Sequence, residues 1–186
     1  MNYFIADLHF GHKNVMSYDN RPFTHIEAHD NYIIDNWNNK VNIDDDVYIL
    51  GDISCYNMTK TVDILNNLNG NKHLITGNHD SKLLKSKPFR DCFVEICDYK
   101  ELYLNREHSI ILCHYPIPCF KNHYYGWYHL YGHVHNSWEY HMMEHIKLEM
   151  CELYNMPCHM YNVGCMLPNI NYTPRTLEEI LCQNTM

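Results

Sequence analysis

At 186 residues the chain is long enough to fill one hydrophobic core, so a single domain over residues 1–186 is expected. A formal net charge of -8 argues against sequence-independent binding of long nucleic acid, which draws its affinity from many Lys and Arg contacts to phosphates; a small phosphorylated substrate stays open if metal supplies the positive charge. No window approaches the roughly 20 apolar residues of a membrane span, and MNYFIADLHF lacks the basic-then-apolar pattern of a leader, so a soluble, cytoplasmic protein is expected.

Nine cysteines, an odd number with no C-x-x-C pair, read as reduced thiols rather than a disulfide framework, with Cys97 and Cys113 as small core residues. Fifteen histidines are more than structure alone usually needs, which makes metal binding the first chemistry to test.

In chain order, the apolar run Tyr3 to Ala6 predicts a buried strand and is followed by Asp7-Leu8-His9. Helical spacing covers Ile26 to Trp37. A second strand, Val47 to Leu50, runs into Gly51-Asp52, and a second helix covers Thr59 to Leu68. Next, His73 to Thr76 leads into Gly77-Asn78-His79-Asp80, Ile110 to Cys113 into His114, and Trp127 to Tyr131 into Gly132-His133-Val134-His135. A strand over His159 to Val163 and a helix over Leu177 to Cys182 complete the series. Thr176 and Glu179 give that last helix a capping-box start. Strands alternating with helices indicate a layered α/β domain.

Each of five predicted strands thus ends on a metal-ligand type of side chain. Sheets of this class gather ligand sites at the carboxyl ends of their strands, so the five ends are expected to converge. Asp7 and His9 are two residues apart, as are His133 and His135, and in an extended chain each pair would face one way. With Asp52, Asn78 and His114 they make seven oxygen and nitrogen donors, too many for one tetrahedral ion and suited to two ions sharing a carboxylate, for which Asp52 is the natural bridge. Two ions about 3.5–4 Å apart suit in-line attack on phosphorus. His79, next to a ligand, would hydrogen-bond the phosphoryl group and protonate the leaving oxygen.

The ordered motifs D-x-H, G-D, G-N-H-D, a lone His after a strand and G-H-x-H resemble the calcineurin-like metallophosphoesterase superfamily, and NVGC at 162–165 resembles the strand that often closes that fold. The resemblance implies a four-layer α/β/β/α sandwich of two mixed sheets flanked by helices. It implies one ion on Asp7, His9, Asp52 and His135, another on Asp52, Asn78, His114 and His133, and His79 as the catalytic histidine. The residue types, histidine, carboxylate and amide oxygen, suggest Mn²⁺ first, with Fe, Zn²⁺ or Ni²⁺ as alternatives. The resemblance further implies a phosphoesterase using a hydroxide held between the ions, nearer the small phosphodiesterases than the Ser/Thr protein phosphatases, whose longer G-D-x-x-D-R-G is absent. A phosphomonoesterase and a non-catalytic module of the same fold are the alternatives. Cys55 departs from the pattern: several relatives carry Asp, His or Asn there to orient the catalytic histidine, a task left here to Asp80 or a backbone carbonyl.

Outside these motifs, His12 and Asn14 resemble a phosphate-facing loop, and Arg21 is either a partner for substrate phosphate or a surface residue in an Arg-Pro turn. His123, Tyr124, Tyr125 and His129 could line a stacking pocket or form a rim of half-buried aromatics. His141, Glu144 and His145 match the H-x-x-E-H pattern of one class of zinc peptidase. Only Glu149, Glu152, Glu178 and Glu179 follow as carboxylates for a third ligand, so a solvated helix or loop is the favoured reading there. Oligomeric state is not readable.

Overall fold

In the computed structural model, which describes residues 1–104 and 109–183, the first half of the chain contains β1 (Asn2–Ile5), α1 (Val15–Tyr18), α2 (Ile26–Lys40), β2 (Asp46–Ile49), α3 (Met58–Asn67), β3 (Asn71–Ile75), α4 (Lys87–Arg90) and β4 (Glu95–Cys97). The second half contains β5 (Tyr99–Tyr103), β6 (Ser109–Cys113), β7 (Tyr128–Tyr131), α5 (Trp138–Tyr154), β8 (Met160–Asn162) and α6 (Leu177–Gln183). They form two four-stranded sheets, ordered β1-β2-β3-β4 and β5-β6-β7-β8. The first runs parallel throughout and gains an antiparallel bridge from Phe4 to Arg175; in the second, β5 is antiparallel to β6 and the rest are parallel. Parallel neighbours need crossovers, and α2, α3 and α5 supply the long ones.

Alternation of side chains along the strands decides what packs where. In β6, Ile110 and Leu112 enter the main core with Phe4, Ile5, Val47, Ile49 and Leu74 of the first sheet, while Ile111 faces the other way into a second cluster with Tyr131, Met160 and Met143. Helix α5 covers that outer face through Tyr140, Met143, Ile146 and Met150, a helical i, i+3 spacing. Ile33 and Trp37 of α2 and Leu65 of α3 belong to the main core. The expected two-sheet α/β sandwich with flanking helices is the observed architecture.

Strands and helices fall within a few residues of their predicted places, and the capping box of α6 forms, Thr176 N–H donating to Glu179 Oε2 at 3.0 Å and Glu179 N–H to Thr176 Oγ1 at 3.3 Å. Two strands carry no sequence signal. β4 has three residues, and β5 reads YKELY, an edge whose Lys100 and Glu101 keep it polar. The NVGC segment joins the sheets: Val163 N–H donates to Tyr131 O (2.8 Å), Ala6 N–H to Val163 O (2.9 Å) and Cys165 N–H to Ala6 O (2.9 Å). No disulfide forms among the described residues, and no described helix is long and apolar enough to cross a membrane.

His129, expected either in a pocket or on a rim, is fully buried on β7. Its ring is satisfied as a neutral imidazole, Nδ1–H facing Ile111 O at 3.0 Å and Nε2 accepting Ile117 N–H at 3.1 Å. Burial pushes its pKa down to about 4. The unfolded imidazole takes its proton near pH 6.5, so between pH 6.5 and 4 the unfolded state binds more protons and stability falls as the pH is lowered. Urea denaturation at pH 7 and pH 5 should show about 2 kcal/mol of acid-side loss from this residue, absent from the difference in His129→Gln; an unchanged pH slope in that variant would refute the assignment.

Candidate metal centre

The loops after β1, β2, β3, β6 and β7 meet at one point. Five of the seven candidate ligands there have left-handed backbones: Asp7 (φ 57°), His9 (51°), Asp52 (58°), His133 (68°) and His135 (49°). Such a conformation costs about 1–3 kcal/mol at a non-glycine residue and persists only where its surroundings enforce it. The side-chain directions therefore have a different origin from the extended spacing expected from the sequence. Asp7 and His9 lie beyond the end of β1 on a strained turn that leaves Leu8 between them buried in the core.

The side chains form two adjoining groups. In one, ligand atoms of Asp7, His9, Asp52 and His135 all lie within 4.8 Å of one another, with His9 Nε2 3.1 Å from His135 Nε2 and His135 Nε2 3.7 Å from Asp7 Oδ1. In the other, Asn78 Oδ1 lies 3.0 Å from His114 Nε2 and 2.9 Å from His133 Nδ1. Asp52 Oδ2 touches both groups, 3.6 Å from His9 Nε2 and 3.7 Å from His114 Nε2.

The donor chemistry fits metal. His114 Nδ1 lies 2.7 Å from Leu50 O, a bond only an N–H can make, so Nε2 turns a lone pair toward the Asn78 and Asp52 oxygens. His135 Nδ1 lies 2.8 Å from Asp19 Oδ1, which likewise aims Nε2 at Asp7. Burial, together with His135 and Arg21, drives His9 far below the usual histidine range, and its Nδ1 is buried without a hydrogen-bond partner. Burial raises the Asp7 carboxyl, opposed by His135 and His114. For His135, burial lowers the pKa, but the Asp19 hydrogen bond and the Asp7 charge outweigh it, and the net shift is upward. Acceptors facing acceptors in a buried cluster call for a cation, and these Asp and His residues could hold one.

Glycines of the motifs make the convergence sterically feasible. A Cβ on Gly77 would lie 2.3 Å from Asp52 Oδ1, and one on Gly132 would lie 2.6 Å from Ala6 Cβ and 2.8 Å from Asp7 Oδ2. Backbone amides then brace the carboxylates. His133 N–H donates to Asp7 Oδ1 and Oδ2 (3.1 Å each), and His79 N–H donates to Asp52 Oδ1 (2.9 Å).

The remaining candidates divide. His79 borders the cluster, its Nε2 3.9 Å from Asp52 Oδ2 and its side chain 52% exposed, on the wall of a cavity of about 410 Å³ that also includes Cys55, Tyr56 and Lys82. Asp80, expected beside it in catalysis, is buried, and its carboxylate accepts the N–H groups of Gly77, Asp52 and Ile53 at 2.8–3.0 Å. It ties the β2 and β3 loops together. His79 is instead held by its own amide on Asp52 and by the His9 ring, 5.5 Å away and edge-on. His12 adjoins the cluster, where a ligand atom lies within 4.8 Å of those of His9 and Cys55. Asn14 is exposed at the start of α1. Arg21, expected to face substrate or solvent, is buried behind the site on Asp19, because distant segments supply its partners. Sequence reasoning missed Asp19, which stands in no motif. His141 and His145 are exposed on α5, and Glu144 pairs with Lys147 at 2.9 Å.

Fold and site together define an α/β sandwich with an Asp/His cluster, able to hold metal, at its strand ends. No family model matches the sequence. The chain belongs to the same family as the uncharacterized protein MJ1445 of Methanocaldococcus jannaschii, to which it is 36% identical over 135 residues, 72% of this chain and 68% of that protein. The Gene 66 protein of Mycobacterium phage L5 is 40% identical over 81 residues, 42% of this chain and 39% of that protein. Among solved structures, the protein of unknown function AQ665 from Aquifex aeolicus shares the fold, with a TM-score of 0.63 over 98% of both chains at 23% identity.

Gly132 provides a test of the packing. Gly132→Ala must push the β1 and β7 loops apart, and overpacking of this kind costs about 1–3 kcal/mol. Urea denaturation should register that loss, and a wild-type midpoint would show that the loops can give way freely.

Proposed function

We propose that the chain is a phosphoesterase of the calcineurin-like metallophosphoesterase superfamily, working with two divalent ions, Mn²⁺ foremost, on a small or nucleotide-like phosphodiester. One observation carries the reading: Asp52 Oδ2 stands between two groups of donors, 3.6 Å from His9 and 3.7 Å from His114. Asp7, His9 and His135 would hold one ion with Asp52, and Asn78, His114 and His133 the other. Bound there, the ions would supply Lewis acidity toward phosphoryl oxygens and lower the pKa of water.

The rest of the chemistry belongs to the protein. Asp7 and Asp52, fixed by backbone amides, keep the donor geometry from relaxing, so the site needs little reorganisation as charge develops on phosphorus. His79 reaches both the cluster and the cavity beside it, which suits delivery of a proton to the leaving oxygen. Lys82 and Tyr56 on that cavity offer a cation and an aromatic edge to the group that departs. A diester carries an organic group on each side of phosphorus, and the cavity beside His79 would take one of them. The acidic net charge favours a small substrate over long nucleic acid.

Purified protein with Mn²⁺, assayed against bis- and mono-aryl phosphates, should cleave the diester preferentially. Asp52→Asn, which removes the shared ligand, should abolish turnover, whereas His141→Ala should be neutral. Preference for the monoester would reassign the substrate class, metal binding without turnover would make the chain a binding module, and equal damage from His141→Ala would move the site to α5.

A further inference from the structure

The two halves of the centre are braced differently. His114 is oriented by a backbone carbonyl, Leu50 O, at 2.7 Å. His135 is oriented by a side chain, Asp19, whose carboxylate oxygens lie 2.8 and 2.9 Å from Nδ1. Asp19 in turn is gripped by Arg21 through Nε (3.0 Å) and one terminal nitrogen (2.9 Å). Both side chains are nearly sealed from solvent, at 5% and 0% exposure, so the pair is a built feature and not a surface contact.

Arg21 does more than neutralise Asp19. Its terminal nitrogens donate to Asp7 O (3.1 Å) and Leu8 O (3.3 Å), the carbonyls inside the left-handed turn that carries Asp7 and His9. Arginine only donates, so His29 Nε2, 2.7 Å from Arg21, must accept, leaving its Nδ1–H for Asp30 Oδ1 at 2.8 Å. Asp30 also takes the Gly11 N–H (3.1 Å) and the Tyr56 hydroxyl (2.8 Å), so the network runs from His135 to the cavity wall.

From this geometry we infer that Asp19 and Arg21 are positioning residues for the Asp7–His9–His135 half of the centre, setting its metal affinity without touching the ion. Arg21 holds the turn that presents Asp7 and His9, and Asp19 fixes the ring of His135. Among the described residues, neither Asp19 nor Arg21 bonds directly to Asn78, His114 or His133 of the other half. A merely structural ion pair would affect both halves alike or neither; a positioning pair affects one. The inference rests on the dinuclear reading above, and the experiment separates the two.

Isothermal titration of the full chain with Mn²⁺ alone should resolve two ions in the wild type. Asp19→Asn should weaken one of them 10–100-fold, the range for loss of a carboxylate behind a ligating histidine, and leave the other at wild-type affinity. Arg21→Lys, which keeps the charge but cannot span Asp19 and two carbonyls, should weaken the same ion by a smaller factor. It also decides the matter if circular dichroism shows that Asp19→Asn has not folded. Wild-type affinity for both ions in a folded variant overturns the inference alone, as does equal weakening of both. Failure of the wild type to bind Mn²⁺ overturns the dinuclear reading and the inference with it.

Discussion

Two buried carboxylates set among imidazole lone pairs form an arrangement that folding has to hold together against its own electrostatics. Asp7 and Asp52 are almost fully excluded from water, and neither touches a Lys or Arg side chain through its carboxylate among the described contacts. Backbone N–H groups compensate, from His133 to Asp7 and from His79 to Asp52. A third buried carboxylate, Asp80, collects three more amides and locks the loops that supply them. Left-handed turns, close glycine contacts and the Arg21 network all serve the same requirement, that the acceptors stay aimed at one another.

Much of this was legible in the sequence. Apolar runs stopped by Gly-Asp, Gly-Asn-His-Asp and Gly-His-Val-His located strand ends, and parallel packing of β1, β2 and β3, and of β6 and β7, brings those ends together. What escaped depends on partners far away in the chain. Arg21-Pro22 reads locally as a surface turn, and its burial follows from His29, Cys165 and the carbonyls of Asp7 and Leu8. Asp80 beside His79 reads as a catalytic pair, but its carboxylate is turned to backbone amides. Strand β4, with three half-buried residues, has too short a pattern to register.

The contrast between GHVH and HMMEH shows why residue type alone says little. Both offer two histidines at ligand spacing. After β7, Gly132 lets the chain approach Asp7 and two left-handed residues turn the rings inward. On α5 the same side chains ride a regular helix whose packed face is Tyr140, Met143, Ile146 and Met150, which leaves His141 and His145 in solvent. Backbone geometry makes the first a site and the second a surface.

The joint between the sheets bears on the order in which the molecule can be assembled. β1 precedes every other described strand in the chain, yet its outer edge is covered by Arg175 on Phe4 and by Val163 and Cys165 on Ala6, with the Cys165 thiol bonded to Asp7 O across 158 residues of sequence. Contacts of that separation cannot exist until residues 163–175 have been made. During elongation, Tyr3, Phe4 and Ile5 therefore form an open, apolar strand edge, the kind of surface on which chains pair with one another. The segment that closes this edge also sets the Cys165 thiol on Asp7 O, so a chain interrupted before residue 163 lacks that contact and keeps the sticky edge.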